Sequence, residues 1–213
     1  MAEHYFTKEP QSEKRIFKHK TILRNREIEF FTASGLFSIK QVDIGSALLI
    51  NKSIIKEGWK ILDLGCGCGI VGLTLKIIFP SLELTFSDIN ERALELTEKN
   101  LDFHKIKGET VQSDGFEKIK NTFDSILLNP PQTAGKEICF KLIEDAKAHL
   151  NMRGLFQLVA RHKKGGRVLS KKMLEVFGNV KDTAKKAGYR IYVSEKNNIP
   201  DEETNTREKN DLF

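Results

Sequence analysis

The stretch WKILDLGCGCGIVG, residues 59–72, constrains the fold more than any other part of this sequence. A short apolar run leads into glycines at positions 65, 67 and 69, and an apolar helical pattern continues up to Pro80. Glycine permits a tight turn and lets a ligand approach the backbone closely. A strand, a glycine loop and a helix in this order predict a ligand-binding turn at the carboxyl end of a strand.

After the loop, strand and helix patterns alternate. Short apolar runs predict strands at 59–64, 82–88, 108–114, 123–129 and 155–161, and helical patterns lie at 69–79, 90–104, 135–150 and 168–178. Asn90 is a plausible cap for the second helix. Two further short strands are expected across a turn at Lys186-Ala187-Gly188. This alternation predicts a Rossmann-like α/β fold with a mostly parallel sheet and helices on both faces.

Residues outside this core suggest the domain limits. Residues 1–25 are polar and basic and are interpreted as an N-terminal arm. Residues 27–39 predict two short strands joined at Ser34-Gly35, and 42–55 predict a loop and an amphipathic helix. The domain is therefore expected over 26–195, with an N-terminal hairpin and helix at 26–57 and the core at 58–195. The acidic tail, 196–213, is low in apolar residues and is expected to be disordered.

Composition narrows the class of protein. A hydrophobic content of 39% in 213 residues is ordinary for a globular chain, and no apolar run is long enough to span a bilayer. The N-terminus has no apolar signal core, so a cytoplasmic location is expected. Three cysteines, an odd number, argue against a disulfide framework.

The net charge of +6 is unevenly distributed. Residues 161–190 carry ten Lys and Arg against two acids, and residues 14–26 carry six with no acid. Such segments could follow a phosphate backbone. The alternative is that they are solvated faces of helices.

The glycine loop is compatible with two ligand classes. Gly67, Gly69 and Gly72 have the spacing of a dinucleotide-binding turn, and Asp88 follows about twenty residues on. Asp63, however, is expected at the mouth of the loop, where its carboxylate would repel a pyrophosphate. S-adenosylmethionine (SAM) fits better, because it carries a sulfonium and an ammonium group and no phosphate.

Three carboxylates follow three successive predicted strands. Asp63 belongs to the first, Asp88 ends the second and Asp114 follows the third. Asp88 is expected to bind the ribose hydroxyls of SAM, and Asp114 to accept a hydrogen bond from the adenine amine. Because the carboxyl ends of parallel strands share one edge of the sheet, the three are expected to lie together.

The cysteines are not expected to bind metal or to act as nucleophiles. Cys66 and Cys68 have no second pair to complete a zinc site, and Cys139 is alone on a predicted helix. The glycine loop already explains the positions of Cys66 and Cys68, and both would lie under the cofactor.

The fourth strand ends in Asn129-Pro130-Pro131. The two prolines hold the backbone extended, which would fix Asn129 beside the cofactor cleft. An amide oxygen and a nearby backbone carbonyl can accept both hydrogens of an –NH₂ group and aim the nitrogen lone pair at an electrophilic methyl. These three residues are the candidate catalytic residues.

These motifs, over residues 25–195, resemble those of class I SAM-dependent methyltransferases. The chain is most similar to the small-domain group, which includes the catalytic domain of ribosomal RNA small subunit methyltransferase C. The resemblance implies a seven-stranded sheet with a final antiparallel strand. It also implies that Asp43, Gly45 and Ser46 line the methionine end of the cofactor site. The candidate residues of the whole cofactor site are Asp43, Gly45, Ser46, Asp63, Gly65, Cys66, Gly67, Gly69, Asp88, Ile89, Ser113, Asp114 and Asn129.

The resemblance also implies a substrate, the exocyclic amine of a base in structured RNA, such as N2 of a guanine in ribosomal RNA. Related enzymes often have an aromatic residue after Asn-Pro-Pro, but Gln132 stands here, and Phe37 is a candidate replacement. Lys136 and Arg161 are further candidate substrate contacts. Docking would use the basic arm, the 161–190 segment or a second subunit, so a monomer and a homodimer both remain open.

Other functions are compatible with the same residues. The Asn-Pro-Pro motif also serves enzymes that methylate a glutamine amide in a protein. A non-enzymatic assembly factor that binds SAM or RNA is another possibility, and a dehydrogenase on a similar sheet is a more distant one.

Overall fold

The computed structural model describes residues 15–33, 42–130 and 135–197. It begins with a hairpin of two antiparallel strands, β1 (Ile16–Leu23) and β2 (Arg26–Ala33). Arg24 and Asn25 form the turn, and both have positive φ, 46° and 61°. Two left-handed residues in a two-residue loop match the right-handed twist of a hairpin.

This hairpin differs from the expected one. The strand predicted from residue 27 exists, but its observed partner is β1, which lies in the segment that was expected to be a basic arm. The predicted turn at Ser34-Gly35 lies outside the described residues. Across the observed pair, Lys18 contacts Glu29 at 3.1 Å and Lys20 contacts Glu27 at 2.8 Å. Opposite charges on facing strands favour this register.

Helix α1 (Ile44–Lys52) leads to a seven-stranded sheet. Its strands are β3 (Lys60–Leu64), β4 (Glu83–Asp88), β5 (Glu109–Gln112), β6 (Phe123–Leu128), β7 (Leu150–Arg161), β8 (Lys181–Lys186) and β9 (Tyr189–Glu195). The order across the sheet is β5-β4-β3-β6-β7-β9-β8. Only β9 runs against its neighbours, so the predicted parallel sheet with a final antiparallel strand is confirmed.

Helices cover both faces of the sheet. They are α2 (Ile70–Ile78), α3 (Glu91–Phe103), α4 (Lys136–Ala148) and α5 (Arg167–Phe177). Side chains of α1, α2 and α3 pack on one face, and those of α4 and α5 on the other. Successive strand residues point to opposite faces, so Leu127 of β6 joins the first core while Ile126 and Leu128 join the second.

The local signals at helix ends are also confirmed. The side chain of Asn90 caps α3 by accepting a hydrogen bond from Arg92 N at 3.0 Å. Gly178 ends α5 in the left-handed conformation, with φ 73°. The helix predicted over 135–150 ends earlier, at Ala148, because Leu150 pairs with Phe123 as the start of β7. None of the helices in the described ranges is long and apolar enough to cross a membrane.

Candidate active site

The glycine loop joins the end of β3 to the start of α2. Gly65, Gly67 and Gly69 have φ of 67°, 60° and 73°, a region that side chains other than glycine rarely adopt. A Cβ on Gly69 would also lie 2.7 Å from the methyl carbon of Thr97. The loop therefore requires glycine both for its backbone conformation and for its close approach to α3.

Two buried polar residues of α3 hold the loop, and neither was predicted from the sequence. Thr97 Oγ1 donates to Gly67 O at 3.1 Å, and Asn100 Nδ2 donates to Cys68 O at 2.8 Å. Asn100 also pairs with both backbone groups of Phe31 in β2. One feature of the sequence could have indicated them: both are polar residues on the apolar face of an amphipathic helix. Polar groups that are buried need hydrogen-bond partners, so such residues are expected to bind a neighbouring element. Asn100 thus links the N-terminal hairpin to the ligand loop.

Asp63 lies inside β3 and is only 4% exposed. Its Oδ2 accepts a hydrogen bond from Gly72 N, in the first turn of α2, at 2.9 Å. Burial raises the pKa of this carboxyl to about 7; the hydrogen bond from Gly72 opposes that shift, and the nearby charge of Asp88 adds to it. A cation bound beside Asp63 would stabilise its ionised form.

Asp88, the last residue of β4, organises the next strand end. Its Oδ2 accepts from Gly67 N and its Oδ1 from Asn90 N, both at 2.9 Å. Asp88 therefore fixes the glycine loop through one oxygen and the turn after β4 through the other, and it lines the cavity as well.

The third strand end continues this row of polar groups. Ser113 N donates to Asp88 O at 3.0 Å, and Ser113 Oγ accepts from Lys118 N at 3.0 Å. Asp114 follows and is exposed. Ser113 is thus a buried support, and Asp114 lies at the rim.

Asn129 follows β6 and contacts the start of α1. Its Nδ2 donates to Ser46 Oγ at 2.9 Å and lies 3.3 Å from Asp43 Oδ1. Asp43 also caps α1 by accepting from Ser46 N at 3.0 Å. Since a carboxylate only accepts hydrogen bonds, these contacts orient the Asn129 amide with its NH₂ toward α1.

These groups surround one cavity of about 300 Å³. The cofactor-site residues predicted from the sequence that line it are Asp43, Ser46, Asp63, Gly65, Cys66, Gly67, Asp88, Ile89, Ser113, Asp114 and Asn129. Pro130 lines it as well, together with apolar side chains that include Phe30, Ile70, Val71, Ile138 and Leu142. Within the described residues, the lining contains four aspartates and no Lys, Arg or His.

The remaining predicted site residues lie elsewhere. Gly69 and Gly45 are outside the cavity lining. Gly45 lets α1 approach the sheet: a Cβ there would lie 3.1 Å from the Tyr189 ring and 3.2 Å from Asn129 Oδ1. Lys136, exposed at the start of α4, and Arg161, at the end of β7, also lie outside the lining. Phe37, Pro131 and Gln132 lie outside the described residues.

The loop cysteines are poor nucleophiles here. Burial raises the pKa of Cys68 to about 12 and raises the pKa of Cys66 well above its usual value. Both thiols stay protonated at neutral pH, whereas nucleophilic attack requires the thiolate. In the described ranges, no group of three or more His, Cys, Asp or Glu side chains could hold a metal ion.

The charge and the mixed polar and apolar lining of the cavity suit SAM. The charged side chains of the lining are all acidic, so they attract the sulfonium and ammonium groups of SAM and repel the phosphates of a dinucleotide. Asp88 can accept hydrogen bonds from ribose hydroxyls, Asp114 from the adenine amine, and the apolar side chains can contact the adenine ring. The volume of about 300 Å³ is at the lower end of the range for ligand pockets.

Comparison with known proteins identifies relatives over most of the chain. The family described as methyltransferase small domain matches residues 27–193. A Bacillus subtilis protein, YbxB, is 37% identical over 204 residues, which is 92% of this chain and all of the relative. A ribosomal RNA small subunit methyltransferase C from Haemophilus influenzae is 35% identical over 150 residues, but the chain spans only 44% of that relative's length.

Solved structures show the same fold. A T. thermophilus 16S rRNA methyltransferase acting on N2 of a guanosine, in complex with AdoMet and guanosine, has a TM-score of 0.73 at 24% identity; 88% of this chain and 52% of that chain are covered. A methyltransferase from Pyrococcus furiosus has a TM-score of 0.64 at 25% identity, with 77% and 90% covered.

Proposed function

The chain belongs to the methyltransferase small-domain family and is a SAM-dependent methyltransferase, and from this premise we propose that it methylates the exocyclic amine of a base in structured RNA. The proposed acceptor is N2 of a guanine in ribosomal RNA. The observation that carries the proposal is the oriented amide of Asn129 at the rim of an acid-lined cofactor cavity.

Asn129 positions the incoming amine. Its NH₂ group is engaged by Ser46 and Asp43, so its Oδ1 is the amide atom that can accept a hydrogen from the acceptor nitrogen. The Pro130 carbonyl accepts the second hydrogen. With both hydrogens held, the lone pair of the amine points toward the cofactor and resists conjugation with the ring.

Catalysis is then mainly positioning and electrostatics. When bound, SAM supplies an electrophilic methyl group on its sulfonium. Asp63 and Asp88 hold the cofactor in the cavity, and Ser46 and Asp43 hold Asn129. The proton of the methylated amine leaves to water after transfer, so the reaction needs no strong base.

The RNA substrate is supported by the relatives and by charge. The relatives named ribosomal RNA small subunit methyltransferase C are 34–38% identical over about two thirds of this chain or more. The net charge of +6 contrasts with the acidic cavity, so the excess of cations lies elsewhere on the molecule. A basic outer surface is the usual electrostatic footprint of nucleic-acid binding.

The test is transfer from methyl-labelled SAM into an extract that is afterwards separated into RNA and protein. We expect the label in RNA, removed by nuclease, and located at N2 of guanine after digestion to nucleosides. Ribosomal RNA before and after assembly into subunits should be offered separately as purified acceptors.

Label in protein would overturn the RNA proposal. A glutamine amide also presents an –NH₂ group with two hydrogens, so the same Asn129 geometry would serve it. Tight SAM binding without any transfer would instead indicate a non-enzymatic assembly factor.

A further inference from the structure

The edge of the sheet that carries Asn129 also carries a group of cations. β7 ends at Arg161 and β8 ends at Lys186, and His162 N donates to Gly188 O at 2.9 Å, so the turns after these two strands lie together. β8 runs parallel to β7, and β7 runs parallel to β6. The carboxyl ends of parallel strands share one edge, so these turns lie on the same edge as Asn129.

We name this group the basic edge. Its cations make no ion pair with any acid in the part of the chain that the structure describes, and they are Arg161, Lys163, Lys164, Arg167, Lys185 and Lys186. Arg190 is excluded, because it pairs with Asp182. The basic edge thus presents a net positive charge to solvent.

The second basic segment of the sequence is different. Lys18 and Lys20 pair with Glu29 and Glu27 across the hairpin. The guanidinium of Arg24 donates to Ile50 O at 2.5 Å and Ser53 O at 2.6 Å, where it satisfies carbonyls at the end of α1. Much of the charge of this segment is therefore engaged within the protein, which leaves the basic edge as the better surface for an anionic partner.

Arg161 is linked to the acceptor site through the ring of Tyr189. Its guanidinium lies over the ring of Tyr189, 5.1 Å from the centroid, and Tyr189 and Asn129 both flank Gly45. Its Nε is buried and has no hydrogen-bond partner among the described residues. A buried donor without a partner is costly, and an acceptor oxygen from a bound ligand would satisfy it.

We propose that the basic edge binds the phosphate backbone of the RNA substrate, with Arg161 as its innermost contact. This inference rests on the proposed function and names the surface that would perform it. The four aspartates of the cavity repel phosphates, so the backbone stays on the basic edge while the uncharged target base enters beside Asn129. Arginine suits the inner position because its planar fork binds phosphate bidentately and stacks on an aromatic ring.

The test compares two variants with the same change in charge. One is Lys163→Gln/Lys164→Gln/Lys186→Gln on the basic edge. The control is Lys56→Gln/Lys60→Gln/Lys107→Gln, at or near the edge where β3 and β5 begin. The affinity for structured RNA is measured over a series of salt concentrations, with SAM affinity as a check on folding.

We expect the basic-edge variant to bind RNA more weakly and to lower the slope of log affinity against log salt by roughly 2–3, since each of the three lost phosphate contacts removes about 0.7–0.9. The control should keep the wild-type slope. Arg161→Lys keeps the charge but loses the planar guanidinium and its stacking on Tyr189. It should lower kcat/KM for RNA by more than Lys163→Arg does.

The experiments give different results when the basic edge is not the docking surface and when the proposed function is wrong. If the wild-type protein methylates RNA but both triple variants lose affinity equally, or neither does, the basic edge is not the docking surface and the function stands. If label enters protein instead, and RNA affinity is absent in the wild type, the proposed function fails first.

Discussion

The environment of Asp63 shows how burial, the largest of several effects, can change the pKa of a carboxyl. An aspartate in the unfolded chain titrates near 3.8, whereas burial raises the pKa of Asp63 to about 7. The folded chain therefore holds this proton more tightly than the unfolded chain. The contribution of Asp63 to the free energy of unfolding therefore falls as the pH rises from about 4 to about 7, and it is constant above pH 7.

We expect Asp63→Asn to remove this pH dependence. In the absence of SAM, the free energy of unfolding of the wild type should fall between pH 5 and pH 7.5 relative to that of the variant, by about 2.5 kcal/mol. Urea unfolding at the two pH values measures this, and Asn keeps an oxygen to accept from Gly72 N. Asp114→Asn, on the exposed rim of the same cavity, is the control; parallel profiles for all three proteins would contradict the shifted pKa.

Asn129 is the residue that most directly tests the mechanism. Asn129→Ala should lower methyl transfer by about 10²-fold or more, because the acceptor loses its alignment. SAM affinity should stay close to wild type. Kinetics with labelled SAM and equilibrium binding measure the two effects separately.

Ser46→Ala is the matched variant for this residue. It removes the 2.9 Å bond that orients the Asn129 amide but leaves Asn129 itself, so the loss of transfer should be intermediate. If SAM affinity and transfer fell together in Asn129→Ala, Asn129 would support the structure rather than position the substrate.

At the scale of elements, the close packing of α2 on the sheet depends on Gly72. A Cβ on Gly72 would overlap the fully buried ring of Phe86 in β4, with Cζ only 2.8 Å away. The helix would move outward, and the hydrogen bond from Gly72 N to Asp63 would lengthen. This contact is therefore part of what places the glycine loop.

Gly72→Ala should destabilise the protein by about 1–3 kcal/mol, the usual cost of overpacking a core. Urea unfolding measures it, and SAM affinity should fall as well, since Asp63 lines the cavity. The double variant Gly72→Ala/Phe86→Leu should recover part of the stability, because the smaller side chain makes room. Strict additivity of the two single substitutions would show that the ring contact is not the cause.

Most elements were predictable from the sequence because their signals are local. Alternation of strand and helix patterns located the seven strands of the sheet, and Asn90 and Gly178 marked helix ends. The pairing of β1 with β2 was not predicted, because a polar strand such as β1 has no apolar period. Its register depends on partners such as Glu27 and Glu29, which neighbour it only after folding.

At the scale of the whole molecule, the cofactor should act as a stabilising ligand. A ligand that binds only the folded state raises the free energy of unfolding by about 2.7 kcal/mol at 100 times its Kd. We therefore expect SAM to raise the Tm in a concentration-dependent way and NADH to leave it unchanged, because the cavity lining is acidic. Thermal unfolding followed by fluorescence measures both.

Asp88→Asn is the control for this experiment. It keeps one oxygen, which can accept from only one of Gly67 N and Asn90 N, and it removes the charge, so SAM should stabilise it less. Stabilisation by NADH and not by SAM would contradict the assignment of the cofactor.

The sequence by itself determined the class of fold, the glycine loop and the row of carboxylates at successive strand ends. These follow from periodicity, turn chemistry and the rule that carboxyl ends of parallel strands share an edge. Only the tertiary structure decided that Thr97 and Asn100 support the loop, that Asp43 and Ser46 orient Asn129, and which of the two basic segments keeps its charge exposed. The reason is physical: hydrogen bonds and ion pairs between residues far apart in the chain depend on packing, which leaves no periodic signal in the sequence.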